Sequence, residues 1–208
     1  MATPNVKHWR DLLKFRCTGC GNCCKETIVM LTDHDVRRIV DGTGMAPKEF
    51  VRFFGEDEIN MPKRHPFWVQ LATRRAIMAL RWGRNRCIFL DKEDMCTIYE
   101  HRPVACREHP FNITRSTSGA VTGLSLSKIS ECLYELDGQI SKRTLSAVCK
   151  WNEDESEEYH KQIKRWNRWP KGSQTRTDFM KHIGFEWDDS KRKKRSKKRK
   201  TEELPSFA

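Results

Sequence analysis

Two helices are predicted in the first third of the chain from the spacing of apolar residues and from the residues at their ends. Thr32 precedes Asp35 by three positions, which is the sequence pattern of a capping box. This first helix should stop near Gly42. Pro47 opens the second helix at a first-turn position, and Gly55 follows its end. The inward-facing residues are Val36, Ile39 and Val40 in the first helix and Phe50, Val51 and Phe54 in the second.

Helical spacing of apolar residues also occurs at both ends of the chain. The segment 152–169 has apolar residues at i, i+4 and i+7 among charged ones, which predicts an amphipathic helix lying across the core. A last short helix is predicted over 177–183, with Gly184 after its end. The residues that carry these patterns are Trp9, Leu12, Leu13 and Phe15 near the N-terminus and Tyr159, Ile163 and Trp166 in the long helix.

The middle of the chain is ambiguous between helix and strand. Residues 76–82 could continue a helix from Phe67, or form a strand that turns at 83–85 into 86–90. We favour the hairpin, because Gly-Arg-Asn is a turn signal and Cys-Ile-Phe-Leu is rich in residues that favour strands. Residues 114–123 are rich in Ser, Thr and Gly, which predicts a loop.

Composition changes this picture mainly at the C-terminus. The chain has 208 residues and a net charge of +12, but residues 191–200 carry nine basic side chains and no acidic one, which leaves +3 for the rest. We therefore predict an α+β fold consisting of one small, irregular, metal-stapled domain over 1–187, with several helices and a short β-hairpin, and a disordered Lys/Arg-rich tail over 188–208.

The cysteines carry the strongest chemical signal in the sequence. Cys17, Cys20, Cys23 and Cys24 form a C-x-x-C-x-x-C-C pattern. Thiolates at this spacing are ligands of tetrahedral zinc, and three sulfurs at i, i+3 and i+6 match the loops that hold iron–sulfur clusters. Glycines 19 and 21 stand where such a loop needs a positive φ or a close backbone approach.

Five further cysteines follow, at positions 87, 96, 106, 132 and 149. Cys87 and Cys96 flank a predicted turn over 91–94. Because adjacent side chains usually point apart, one metal would not easily take both Cys23 and Cys24. Eight thiols can form two four-sulfur shells, or one cluster with spares, and Cys149 is then left over. An odd count and tight clustering argue against a disulfide framework.

Several motifs together resemble the CxxCxxCC cysteine-cluster family, which is also called YkgJ-like and is described as a zinc- or iron-chelating domain. The shared patterns are Phe-x-Cys-x-x-Cys-Gly-x-Cys-Cys, Cys-Ile-Phe-Leu-Asp, Cys-Thr-Ile-Tyr-Glu-x-Arg-Pro and Ala-Cys-Arg-x-x-Pro-Phe. They cover roughly 14–111 and extend weakly to Cys132. The resemblance implies metal binding through Cys17, Cys20, Cys23, Cys24, Cys87, Cys96, Cys106 and Cys132. We therefore expect the fold to bring the cysteine loop and the 87–106 segment together, although they are some sixty residues apart in sequence.

Charged and imidazole side chains near these cysteines are candidates for a supporting role. Cations should balance the charge of a thiolate shell, and Arg102 and Arg107 are better placed for this than the others, which are Arg16, Lys25 and Arg86. His101 and His109 lie near Cys106 and are alternative ligands, although each can equally be a polar residue at a turn.

Three functions follow from these observations. The first is a metalloprotein that binds an iron–sulfur cluster, which we slightly favour, or zinc, with a redox, metal-handling or protein-modification role. The second is a structural-zinc module whose basic tail contacts nucleic acid or another polyanion. The third is a methyltransferase like the larger flagellin lysine methylases that share the cluster, but this chain has no Gly-rich cofactor loop. The sequence does not decide whether the protein is an enzyme.

The sequence also predicts where the protein resides. No stretch is apolar for long enough to cross a bilayer, and residues 1–11 lack the apolar core of a secretory signal. We therefore expect a cytoplasmic protein, without a membrane partner, whose thiols stay reduced.

Overall fold

A computed structural model describes residues 6–128, 131–170, 172 and 174–187, together with the backbone of a short strand at Ser206–Phe207. The predicted disorder of the tail over 188–208 otherwise lies outside the described residues. Helices and strands are mixed along the chain in a small single domain, as the α+β prediction requires.

The helices follow the capping and periodicity signals of the sequence. Thr32 and Asp35 form the predicted capping box, since each side chain accepts a hydrogen bond from the backbone of the other. The helix they start ends one residue beyond Gly42, and Gly44, with φ of 70°, caps it. The helices are α1 (Cys23–Glu26), α2 (Asp33–Thr43), α3 (Pro47–Phe50), α4 (Val104–Glu108), α5 (Lys142–Trp166) and α6 (Arg176–His182), with 3-10 turns at Trp9–Lys14 and Tyr99–His101.

The strands form one three-stranded sheet and several two-stranded pairs. The sheet is antiparallel with the order β3-β5-β4, and β6 pairs with β7 in a hairpin. β1 pairs with β8 in antiparallel orientation, and β2 pairs with β9 in parallel. The strands are β1 (Arg16–Cys17), β2 (Thr27–Ile28), β3 (Val51–Gly55), β4 (Val69–Gln70), β5 (Arg75–Leu80), β6 (Phe111–Arg115), β7 (Val121–Leu126), β8 (Tyr134–Glu135) and β9 (Ser206–Phe207).

Two of the local predictions are wrong, and both errors convert predicted helix or loop into strand. The second helix starts at Pro47 as expected but ends at Phe50, and Val51–Gly55 pairs with the central strand β5. β-branched and aromatic residues fit a pleated, buried surface, and the partner strand decides the outcome. Residues 114–123 are not a loop throughout, because β6 and β7 extend into them and leave a turn over 116–120.

The hairpin predicted over residues 76–90 is confirmed in its first arm and its turn. β5 forms the first arm, and Gly83 donates a backbone hydrogen bond of 2.8 Å to Arg86 across the turn. The second arm is reduced to a bridge between Trp82 and Cys87. The chain leaves the sheet at this point, which carries Cys87 towards the cysteine loop.

Buried apolar side chains form two separate clusters. The main core packs the three-stranded sheet against α2, α5 and α6, and it includes the predicted residues Tyr159, Ile163 and Trp166 of α5. That helix begins ten residues earlier than the predicted 152, and Ser141 caps it. The second cluster is smaller and joins the N-terminal 3-10 turn to the β6-β7 hairpin through the contact of Phe15 with Phe111, and Tyr134 of β8 stacks on Phe15. In the part of the chain that the structure describes, no helix is long and apolar enough to span a membrane.

Candidate metal centre

The cysteine loop begins where β1 leaves the small cluster and ends in the single turn of α1. Gly19 and Gly21 both have φ of 70°, as predicted for such a loop. A Cβ atom at Gly21 would lie 3.0 Å from the backbone oxygen of Asp94, so the loop and the 91–94 turn approach each other closely at this glycine. Lys25 strengthens the contact through an ion pair of 2.6 Å with Asp94.

The adjacent residues Cys23 and Cys24 lie together on α1, and their sulfur atoms are 4.0 Å apart. The expectation that these side chains point apart is therefore wrong. In a helix with about 3.6 residues per turn, adjacent side chains are separated by about 100° around the axis, so their sulfur atoms can approach each other. An extended backbone would place the two side chains on opposite faces. Sulfur atoms around one tetrahedral zinc are separated by roughly 3.8 Å, so this pair can serve one centre or two adjacent centres.

Cys87 and Cys96 reach the loop from a segment some sixty residues away, as the sequence predicts. The backbone N–H of Cys87 donates a hydrogen bond of 2.7 Å to the carbonyl oxygen of Cys24. Between the two cysteines the chain turns on Asp91, whose carboxylate accepts from the N–H groups of Glu93 and Met95 at 3.0 Å and 2.8 Å. A backbone bridge between Leu90 and Cys96 closes this predicted turn.

Cys106 lies in the short helix α4, which a buried carboxylate fastens to α2. Asp35 accepts a hydrogen bond of 3.0 Å from the backbone N–H of Val104, and it forms an ion pair of 2.6 Å with Arg38. The same carboxylate also caps α2 through Thr32. The sequence marked Asp35 only as a capping residue. Its longer-range contact with Val104 depends on tertiary packing and leaves no local signal.

A pocket of about 120 Å³ opens between these segments, and six of the nine cysteines line it. On the same measure a single water molecule needs roughly 10–15 Å³, so the pocket has room for a group several times larger than one ion. The lining thiols are those of Cys17, Cys23, Cys24, Cys87, Cys96 and Cys106, and the apolar wall is formed by Val29, Leu80, Phe89, Leu90 and Ile98.

The thiols in the pocket disfavour one another's ionisation. The pKa of Cys24 is lowered by a hydrogen bond with Cys23 but raised more by Cys87, burial and Cys96, to about 12. Burial raises the pKa of Cys106 far above its usual range, and Cys24, Cys23 and Cys96 add to the effect. Burial also raises the pKa of Cys96, although the charge of Arg102 opposes it. A divalent cation or a cluster would replace this mutual repulsion with attraction.

The two last cysteines lie in different surroundings. Cys132 is partly buried against the small cluster, and burial together with Cys17, Cys20 and Cys23 raises its pKa to about 12. Cys149 is buried in α5, where its sulfur lies 3.4 Å from a carboxylate oxygen of Glu108. All nine thiols are free. The partners of Cys149 agree with its predicted place outside the cysteine cluster.

The pocket thiols lie near one another, but their sulfur atoms are not arranged around a single metal position. Across the described residues, no three His, Cys, Asp or Glu side chains are arranged closely enough to hold a metal ion as they stand. The donor set nevertheless fits a thiophilic metal, because cysteine thiolates are the preferred soft ligands of zinc and of iron–sulfur clusters.

Of the five candidate cations, four have other partners. Arg16 pairs with Glu135 and Asp137, while Lys25 and Arg86 pair with Asp94. Arg107 donates to the backbone oxygens of Glu100 and Arg102. Arg102 lines the pocket itself, stacks 3.9 Å from the ring centre of Tyr99, and opposes the rise in the pKa of Cys96. It is therefore the cation best placed to balance the shell.

The two candidate histidines also differ. His101 packs against the backbone of α2 so closely that a Cβ atom at Gly42 would overlap its ring. His109 lines the pocket, and burial lowers its pKa, which favours the neutral imidazole that binds metals.

Comparison with known proteins gives one match. A family model described as "CxxCxxCC: Putative zinc- or iron-chelating domain" matches residues 16–129, which is more than half of the chain. The matched range contains seven of the eight candidate ligands and ends before Cys132. Comparison with the curated proteins and with the solved structures finds no match.

Proposed function

Because this chain belongs to the CxxCxxCC family of zinc- or iron-chelating domains, we propose that it is a metal-binding protein whose pocket centre is held by four thiolates, those of Cys24, Cys87, Cys96 and Cys106. The other four candidate ligands, Cys17, Cys20, Cys23 and Cys132, are not part of this centre. A reducing compartment such as the cytoplasm is part of this proposal, because the ligands must remain free thiols.

The observation that carries the proposal is the convergence of four thiols from three separate segments on one pocket. Cys24 comes from α1, Cys87 and Cys96 flank the 91–94 turn, and Cys106 comes from α4. Each segment is attached by its own backbone contacts, so the thiols are brought together by the fold. Free thiols give little stability in return for such an arrangement, whereas a shared metal ligated by all four does.

Between the two metals named by the family, we favour an iron–sulfur cluster. The size of the pocket supports this choice, since a cluster is larger than a single ion. A bound cluster would supply one-electron redox chemistry, whereas zinc would supply a structural cross-link.

Anaerobic purification tests the proposal. Iron and acid-labile sulfide with a brown colour are expected, and a colourless protein with stoichiometric zinc would replace the iron assignment by zinc. Substitution Cys96→Ser should lower the metal content, while Cys149→Ser, a matched change of a buried cysteine outside the cluster, should leave it unchanged. Wild-type protein without bound metal would refute the function itself.

A second function is favoured by the nine basic residues at 191–200. We propose that this segment binds nucleic acid or another polyanion through phosphate contacts without reading bases. Deleting residues 190–208 should then weaken binding to a DNA or RNA oligonucleotide, and the wild-type affinity should fall steeply with salt. Equal binding by the truncated protein would exclude the tail from this role, and the metal content serves as the control for folding.

A further inference from the structure

Cys132 lies beyond residue 129, where the family match ends, but the structure holds it against the cysteine loop. Tyr134 and Glu135 in β8 pair with Cys17 and Arg16 in β1. Three hydrogen bonds attach residues 131 and 133, on either side of Cys132, to the cysteine loop. Thr18 Oγ1 donates to Leu133 O at 2.8 Å, Asn22 Nδ2 donates to Glu131 O at 2.8 Å, and Glu131 N donates to Glu26 Oε2 at 3.0 Å. These contacts place the backbone on both sides of Cys132 along the loop.

The cysteines divide according to the hydrophobic cluster on which they pack. The thiols of Cys24, Cys87, Cys96 and Cys106 belong to the main core or pack against it. Cys132 packs against the small cluster, from which β1 delivers Cys17. In the first group Cys87 is buried and the others are half-buried, whereas in the second group Cys17 is exposed and Cys20 and Cys132 are half-buried. The cysteine loop therefore lies between the main core and the small cluster, and a different set of thiols is associated with each.

The two groups meet at the adjacent cysteines of α1. The sulfur of Cys23 lies 4.0 Å from that of Cys24, and both residues line the pocket. The junction between the groups is thus the adjacent cysteine pair.

We propose that the chain has a second metal site, formed by Cys17, Cys20, Cys23 and Cys132, at the outer face of the loop and next to the pocket centre. This inference rests on the proposed function. Four thiolates suit a zinc ion or an iron–sulfur cluster and are too soft for magnesium or calcium. The adjacent pair is then divided, with Cys23 on the outer centre and Cys24 on the inner one.

The number of centres per chain tests the proposal. In the full-length protein purified without oxygen, zinc, iron and acid-labile sulfide are measured, and zinc ions and clusters are counted. We expect two centres in the wild type and in the control Cys149→Ser, and one centre in Cys132→Ser and in Cys20→Ser. The second outer variant keeps the test valid if the first fails to fold, which circular dichroism and tryptophan fluorescence would reveal.

Chelator kinetics give an independent readout. Because Cys17 of the outer centre is exposed whereas Cys87 of the pocket centre is buried, the outer centre should be lost first. The wild type should then release its metal in two phases, and Cys132→Ser in the slow phase alone. A single centre in the wild type that Cys132→Ser does not affect would overturn the second site and leave the proposed function standing. Loss of all metal from a folded Cys132→Ser would also overturn it, because that outcome indicates one shared centre. A metal-free wild type would refute both.

Discussion

Replacing Asp35 by alanine tests whether the buried carboxylate stabilises the attachment of the pocket helix α4. The carboxylate accepts hydrogen bonds from Thr32 N at 3.0 Å and Thr32 Oγ1 at 3.1 Å, from Arg38 at 2.6 Å and from Val104 N at 3.0 Å. Its removal leaves the Val104 N–H buried and unpaired, which costs about 1–3 kcal/mol. The buried backbone N–H of Thr32 loses the same acceptor, which adds about 1–3 kcal/mol, whereas Thr32 Oγ1 still caps the helix by accepting from the backbone N–H of residue 35.

Arg38 also loses one of its two carboxylate partners and keeps only Glu155. Breaking a buried ion pair on one side costs about 3–5 kcal/mol in general, and the summed losses at Asp35 fall in the same range. That is a large fraction of a typical unfolding free energy of about 5–15 kcal/mol. Because Val104 precedes Cys106 by two residues, we also expect Asp35→Ala to bind metal less tightly.

Asp178 provides a matched control in the same protein. It forms the same capping box with Thr175 at the start of α6, but it is only half-buried and its capping contacts are local and solvent-exposed. Urea unfolding of metal-loaded protein, followed by tryptophan fluorescence, should show a much larger loss for Asp35→Ala than for Asp178→Ala. Equal losses would mean that the contacts with Val104 and Arg38 add nothing, and the reasoning would fail.

Three further predictions concern a helix contact, pH and the shell charge. In an open helix interior, a change from Gly to Ala stabilises by about 0.5–1 kcal/mol. Gly42→Ala should instead lower the unfolding free energy, because the new Cβ atom would overlap the ring of His101. Adding His101→Ala should restore stability. Burial and His160 lower the pKa of His65, so its neutral form is favoured in the fold. The unfolded chain then binds the proton first, and the unfolding free energy should fall as the pH drops below about 6.5, less so in His65→Gln. Arg102→Gln should speed metal loss to a chelator more than Arg102→Lys does, because the pocket then lacks its cation, and equal rates in the wild type and Arg102→Gln would contradict this role.

Local signals were sufficient wherever a feature depends on neighbours in sequence. The capping box at Thr32 and the positive φ of Gly19 and Gly21 were predicted correctly, because each depends on residues within one turn. The approach of the 87–106 segment to the loop followed from ligand chemistry, which demands that distant sulfurs meet. Chemistry of this kind carries long-range information that hydrophobic periodicity lacks.

Local signals failed where a partner strand or a helix contact decides the structure. Val51–Gly55 continues a helical pattern from Pro47, but the edge of β5 supplies a ladder of hydrogen bonds that only a strand can use. Likewise, nothing next to Cys132 in sequence indicates that β8 will pair with β1. The orientation of Cys23 and Cys24 depended on one turn of helix too short to be read from the sequence.

The energetics of the cysteine loop explain why its ligands come from both sides of it. None of the residues from Arg16 to Glu26 is buried, although the main core and the small cluster pack on either side. Fixing about ten residues without apolar burial costs roughly 10–20 kcal/mol of backbone entropy. Glycine turns, the Lys25 ion pair and a few hydrogen bonds offset only part of it, whereas a structural zinc centre contributes about 10–16 kcal/mol. The free energy of binding metal between thiols associated with the two clusters is therefore large enough to order the loop and to hold the clusters together.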